Sequence, residues 1–131
     1  MALKDEKNYS IILLVYAILS ESKKNHTHGY MIESKCRMMD GFDDFSADII
    51  HNEEKFMIFQ CKITTKDFVL GRTQLKTNMV NGGYPHGILI CGEKTEIYTL
   101  DISKDDSVPV FENEYDNTTQ LHELIQFIRD L

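Results

Sequence analysis

The chain has 131 residues, a hydrophobic fraction of 42% and a formal net charge of −7. That length fits one domain with a sizeable core, and the composition is ordinary for a soluble globular protein. The acidic balance excludes long-range attraction of nucleic acid to the surface as a whole. Three cysteines, Cys36, Cys61 and Cys91, without a Cys-x-x-Cys pair exclude a disulfide framework or zinc site. They read as reduced thiols in an intracellular protein of the cytoplasm or nucleus.

Residues from about Asp5 to Ser22 read as a helix, apolar on nearly every side and therefore deeply packed. Its apolar run, Ile11 to Leu19, is shorter than the about 20 residues that span a bilayer. Lys4-Asp5-Glu6-Lys7 lacks the net positive start of a signal peptide, so no membrane is expected. Lys23 to Gly29 is turn-like, with His26 and His28 as solvated loop residues. A strand begins at Tyr30 and runs to about Cys36; Met38 to Ser46, with Asp40, Gly41, Asp43 and Asp44, reads as a loop or ragged strand entry.

Ala47 to His51 and Phe56 to Ile63 read as two strands around Asn52-Glu53-Glu54-Lys55. Asp67 to Asn81 reads as a loop into a helix, with Leu75 and Met79 four apart and Gly82-Gly83 as its stop. Gly87 to Cys91 and Thr95 to Leu100 form a second hairpin, and Asp101 to Asn117 is loop with a short edge strand near Val108-Pro109-Val110. Leu121, Leu124, Ile125, Ile128 and Leu131 lie on one face of a last helix that Asn117 or Thr118 can cap. The order predicts a single domain over residues 1–131: an α/β sandwich with a central mixed sheet flanked by helices.

One constellation carries chemistry. Gln60 and Lys62 share a strand face with Phe56 and Ile58, because side chains alternate. A three-residue loop, Glu53 to Lys55, sets Asp48 directly opposite Gln60, whereas a two- or four-residue loop turns Asp48 to the other face. In the first register Asp48 and the Gln60 carbonyl offer oxygen ligands to Mg²⁺ or Mn²⁺. Lys62 would then counter charge developing on a phosphate.

Asp48, the apolar strand and Gln60-x-Lys62 resemble the PD-(D/E)XK nuclease superfamily in its Gln-for-acid variant. The layout is most similar to the N-terminal nuclease domain of type I restriction enzyme R subunits. There an opening helix leads to a strand bearing a glutamate, then to Ala/Pro-Asp-Ile. Here Glu33 and Ala47-Asp48-Ile49 stand in that order. The family's glutamine on the helix after the motif is matched by Gln74, while Asn78 stands where its tyrosine is expected. Pro85 to Gly92 and Glu96-Ile97-Tyr98 resemble the paired strands that follow. The resemblance implies a restriction-endonuclease-like fold, metal at Asp48, Gln60 and Glu33, and catalysis by Asp48, Gln60, Lys62 and Gln74. An acid on the opening helix, Asp5 or Glu6, would complete the metal site.

Two functions follow as expectations. The first is a Mg²⁺- or Mn²⁺-dependent deoxyribonuclease whose DNA lies along a basic strip of Lys66, Arg72 and Lys76, with Asp67 the sole acid between Gln60 and Lys76. The second is a catalytically weakened module that binds nucleic acid or protein within a larger assembly or a homodimer. The charge of −7 and Asn78 favour the second; Asp48 and Gln60-x-Lys62 favour the first.

Overall fold

Helix α1 (Ala2–Glu21) precedes three strands, β1 (Tyr30–Met39), β2 (Phe42–His51) and β3 (Glu54–Cys61), in a computed structural model of the chain. Helix α2 (Phe68–Gly82), strands β4 (His86–Ile90), β5 (Lys94–Thr99) and β6 (Val110–Asp116), and helix α3 (Leu121–Arg129) follow. The structure describes the backbone of residues 2–39 and 42–131, and the side chains of residues 10–35 and 45–131. Asp5, Glu6, Cys36, Asp43 and Asp44 therefore lie outside the described side chains, and Asp40 and Gly41 outside the described residues altogether.

The six strands form one sheet in the order β1-β2-β3-β4-β5-β6. All pairs are antiparallel except β3 with β4, whose crossover is α2. Helices cover both faces, as the α/β sandwich requires. On one face Ile11, Val15, Ile18 and Leu19 of α1 and Leu124 and Ile128 of α3 pack on Ala47, Ile49, Phe59, Ile88 and Ile97. On the other, Phe68, Leu75 and Met79 of α2 pack on Ile58, Leu89 and Tyr98. Strands β3 and β4 are thus buried on both sides, which accounts for their nearly continuous apolar sequence.

Locally the structure departs from the pattern of the sequence. Among its described side chains α1 buries a stripe at 11, 15, 18 and 19, leaving Leu13 53% and Tyr16 40% exposed, because the sheet lies on a single side of it. The edge strand is β6, longer and later in the chain than Val108 to Val110. It bulges at Glu112, opposite Ile97 and Tyr98 of β5, a device that blunts an open edge. Neither Asn117 nor Thr118 caps α3: the capping position is Gln120 and makes no side-chain cap. Asn117 instead bridges strands, donating Nδ2 to Cys91 O at 2.8 Å and accepting from Thr95 Oγ1 at 2.7 Å. The Gly82-Gly83 stop is where the sequence puts it, with Gly83 left-handed at φ 74°. Cys61 and Cys91 are buried and not in a disulfide, and no described helix is long and apolar enough to cross a membrane.

Candidate functional site

The β2–β3 turn decides which side chains meet. His51 pairs with Glu54, so the turn is the two residues Asn52 and Glu53, both left-handed at φ 52° and 65°. Continued unbroken, that register sets Asp48 opposite Met57, on the face away from Gln60. A bulge intervenes. Ile50 pairs with Lys55 but Ile49 pairs with Met57, and the extra residue Phe56 restores parity. Asp48 consequently lies opposite Ile58, and Gln60 opposite Ser46. The three-residue loop is thus replaced by a turn plus a bulge. Asp48 and Gln60 project from the same face as diagonal neighbours, and not directly opposite one another.

That face lies beneath α2. Glu33 on β1 is the cross-strand partner of Asp48, so it projects to the same side. Asp48, Gln60, Gln74, Asn78, Tyr84 and Lys35 are among the residues that line a cleft of about 510 Å³ between α2 and strands β1 to β3. Asp48 is 4% exposed and Gln60 1%. The Asp48 carboxylate takes an ion pair from Lys35 Nζ at 3.1 Å, and the Tyr84 phenol lines the same cleft. Burial, followed by the negative charges of Asp48 and Glu33, pushes Tyr84 ionisation well up, so the phenol remains a donor. Asn78 donates Nδ2 to Gln60 Oε1 at 3.2 Å, so the residue at the expected tyrosine position braces the motif glutamine. Gln74 Oε1 is buried, and no described group donates to it.

Lys62 follows β3, with its backbone N–H on Ile90 O at 2.8 Å. It is 9% exposed, and its stem runs beneath Gly71. A Cβ there would stand 3.3 Å from Lys62 Cγ and 2.8 Å from Leu89 Cδ1. Lys62 therefore lies under α2 about one helical turn before Gln74, outside the lining of the cleft.

The basic strip is divided. Arg72 is engaged by Glu96, Nε to Oε1 at 2.8 Å and Nη2 to Oε2 at 2.7 Å. Tyr98 and Lys94 reach the same carboxylate at 2.8 and 3.3 Å. The Arg72 hydrogen bond is the largest cause that holds Glu96 down at about 2. Lys76 lies over the Tyr98 ring at 5.4 Å, and Lys66 is exposed in the short turn before α2. Arg72 and Lys76 thus face β5, on the flank of α2 away from the cleft.

The donor set suits a hard cation: the Asp48 carboxylate, the Gln60 amide oxygen and the cross-strand carboxylate of Glu33 are all oxygen. The Lys35 ammonium on Asp48 stands in for such a charge and would have to move aside for a metal. Among the described residues no three His, Cys, Asp or Glu side chains cluster as a metal site. Sequence reasoning missed Tyr84 and Lys35. Alternation from Glu33 signals Lys35, two residues on and on the same face. Tyr84 has a weaker signal in the preceding Gly82, where a Cβ would collide with its ring. No family model, curated protein or solved structure matches the chain.

Proposed function

We propose that this is a divalent-metal-dependent nuclease domain that hydrolyses DNA phosphodiesters, built like the PD-(D/E)XK domain of type I restriction R subunits. One observation carries the reading: a buried carboxylate, Asp48, shares a cleft with Gln60 and Gln74, which come from successive elements in the expected order. Burying a carboxylate is costly unless it is paired. Its placement in an open cleft and not in the core supports a working role.

Asp48, Gln60 and Glu33 would hold Mg²⁺ or Mn²⁺, which when bound polarises a phosphoryl oxygen and acidifies water. The chain supplies the rest. Tyr84, its phenol kept protonated in the same cleft, would donate to the Asp48 carboxylate, and Asn78 fixes the Gln60 amide. Lys62 brings positive charge toward the phosphate from beneath Gly71, and Gln74 positions the substrate. Lys66 and Lys76 remain as phosphate contacts on the outer flank; Arg72 is committed to Glu96.

With Mn²⁺ and DNA, the wild type should cut, and Asp48→Asn and Lys62→Ala should each abolish cutting while circular dichroism stays unchanged. Equal activity in the variants would refute the assignment. The alternative, a weakened module that binds nucleic acid or a protein partner, is favoured by two observations. Lys35 already neutralises Asp48, and Arg72 is withdrawn from the strip. DNA binding without cutting under any metal would select it. A homodimer through α3 has less support, because Leu124 and Ile128 are fully buried within the chain.

A further inference from the structure

Along α2 the residues that line the cleft are Thr73, Gln74, Thr77, Asn78 and Asn81, followed by Gly82. The spacing i, i+1, i+4, i+5, i+8 makes this a continuous flank of the helix. Every side chain on it is an uncharged hydroxyl or carboxamide. The opposing wall carries the cleft's cations, Lys35 on β1 and Lys55 on β3. That wall also carries the Asp48 carboxylate, paired with Lys35, so Lys55 is its one cation not ion-paired to Asp48, facing a wall that hydrogen-bonds without charge.

A duplex presents phosphates along both strands, and proteins position it with many phosphate contacts. This cleft has two lysines, one of them paired with Asp48, and Arg72 on the far flank is held by Glu96. Its volume of about 510 Å³ is that of a small-molecule pocket. A ligand with an anionic end and a hydrogen-bonding edge complements both walls at once. An unpaired nucleotide has that form, with phosphate toward Lys55 and base edge toward the carboxamides. In a duplex the same edge is occupied by its partner base.

The buried, unpartnered Gln74 Oε1 is the second observation. A buried carbonyl oxygen without a donor is unfavourable, and a ligand N–H would satisfy it. The exocyclic amine of a base provides one once the strand is open. Asn78 is held by Gln60, so its amide is fixed before the ligand arrives.

Building on the nuclease reading, we propose that the cleft takes single-stranded nucleic acid, one unpaired nucleotide seating against the Gln74 wall of α2, and not an intact duplex. Fluorescence anisotropy would compare a short labelled single-stranded DNA with the same sequence as a duplex, for wild type and Gln74→Leu, in Ca²⁺ to prevent cutting. The expected result is single-strand binding at least about tenfold tighter than duplex binding. Gln74→Leu should reduce it by about three- to tenfold, the range of one hydrogen bond. Its thermal midpoint should not fall, since leucine removes an unsatisfied buried oxygen. Duplex binding that is as tight as single-strand binding would overturn this inference; Mn²⁺-dependent cutting of that duplex would leave the nuclease reading standing. Gln74→Leu binding like wild type would also overturn it. No binding of either form would refute the nuclease reading with it.

Discussion

Replacing Arg72 by methionine should destabilise the fold, because this arginine holds a buried carboxylate and not a phosphate. Glu96 has a side chain only 3% exposed, against 39% for Arg72 and 34% for Lys94. Its carboxyl is depressed from 4.5 to about 2, first by the Arg72 hydrogen bond. That gap corresponds to about 3 kcal/mol of stability at neutral pH. Since the folded value lies below the unfolded one, this stability is complete above 4.5 and is lost as pH falls toward 2. Removing one partner of a fully buried pair costs about 3–5 kcal/mol. Here the exposure of Arg72 and the remaining contacts from Lys94 and Tyr98 reduce the expected loss to about 2 kcal/mol at neutral pH. By about pH 3 the wild type has given up more than half of the Glu96 contribution, so the difference between the proteins should shrink to about 1 kcal/mol. Urea unfolding of both at each pH measures it. A difference below about 0.5 kcal/mol at neutral pH, the size of an ordinary surface substitution, would show that Arg72 does not anchor Glu96 and would leave it available to phosphate.

Gly71→Ala should cost about 1–3 kcal/mol by overpacking, since its Cβ would stand 2.8 Å from buried Leu89 and 3.3 Å from the Lys62 stem; an unchanged thermal midpoint would show that α2 rides higher than described. Glu53→Gly should stabilise by about 0.5–1 kcal/mol, because the left-handed φ of 65° strains a glutamate; a drop in melting temperature would contradict the two-residue turn. His86 has its Nδ1 buried without a partner among the described residues, and burial, then Lys24, lowers its pKa below 6.5. Its contribution is therefore present above 6.5 and lost as pH falls through the folded value, so His86→Leu should flatten the mildly acidic limb of stability against pH. Parallel limbs in urea titrations would remove His86 from the account.

The strand-level outline was legible because it rests on apolar runs bounded by turn residues, and the α/β sandwich follows from their order. Alternation puts Gln60 with Ile58 on the α2 face, but Phe56, expected on that face too, packs with the α1 and α3 cluster because the bulge falls on it. The Asp48 register could not be read, since the two-residue turn gives the wrong parity and only the extra residue at Phe56 corrects it. Nothing local to Phe56 announces a bulge. It is set by which residues reach the core, with Ile49 and Met57 both fully buried beneath α1 and α3. Arg72 was misread for a similar reason. A cation on a helix face looks solvated until the sheet brings Glu96 beneath it from 24 residues away. Asn117 has the composition of a cap, yet the turn between β4 and β5 claims its amide.

A calorimetric Mn²⁺ titration of wild type, Asp48→Asn and Lys35→Met tests directly whether Asp48 holds a metal. A metal held by Asp48, Gln60 and Glu33 must displace the Lys35 ammonium that sits 3.1 Å from the carboxylate. Wild type should therefore bind one Mn²⁺, Asp48→Asn should lose that binding, and Lys35→Met should bind more tightly because the competing charge is gone. Identical isotherms for the three folded proteins, or no binding by Lys35→Met, would contradict a metal-dependent site at Asp48.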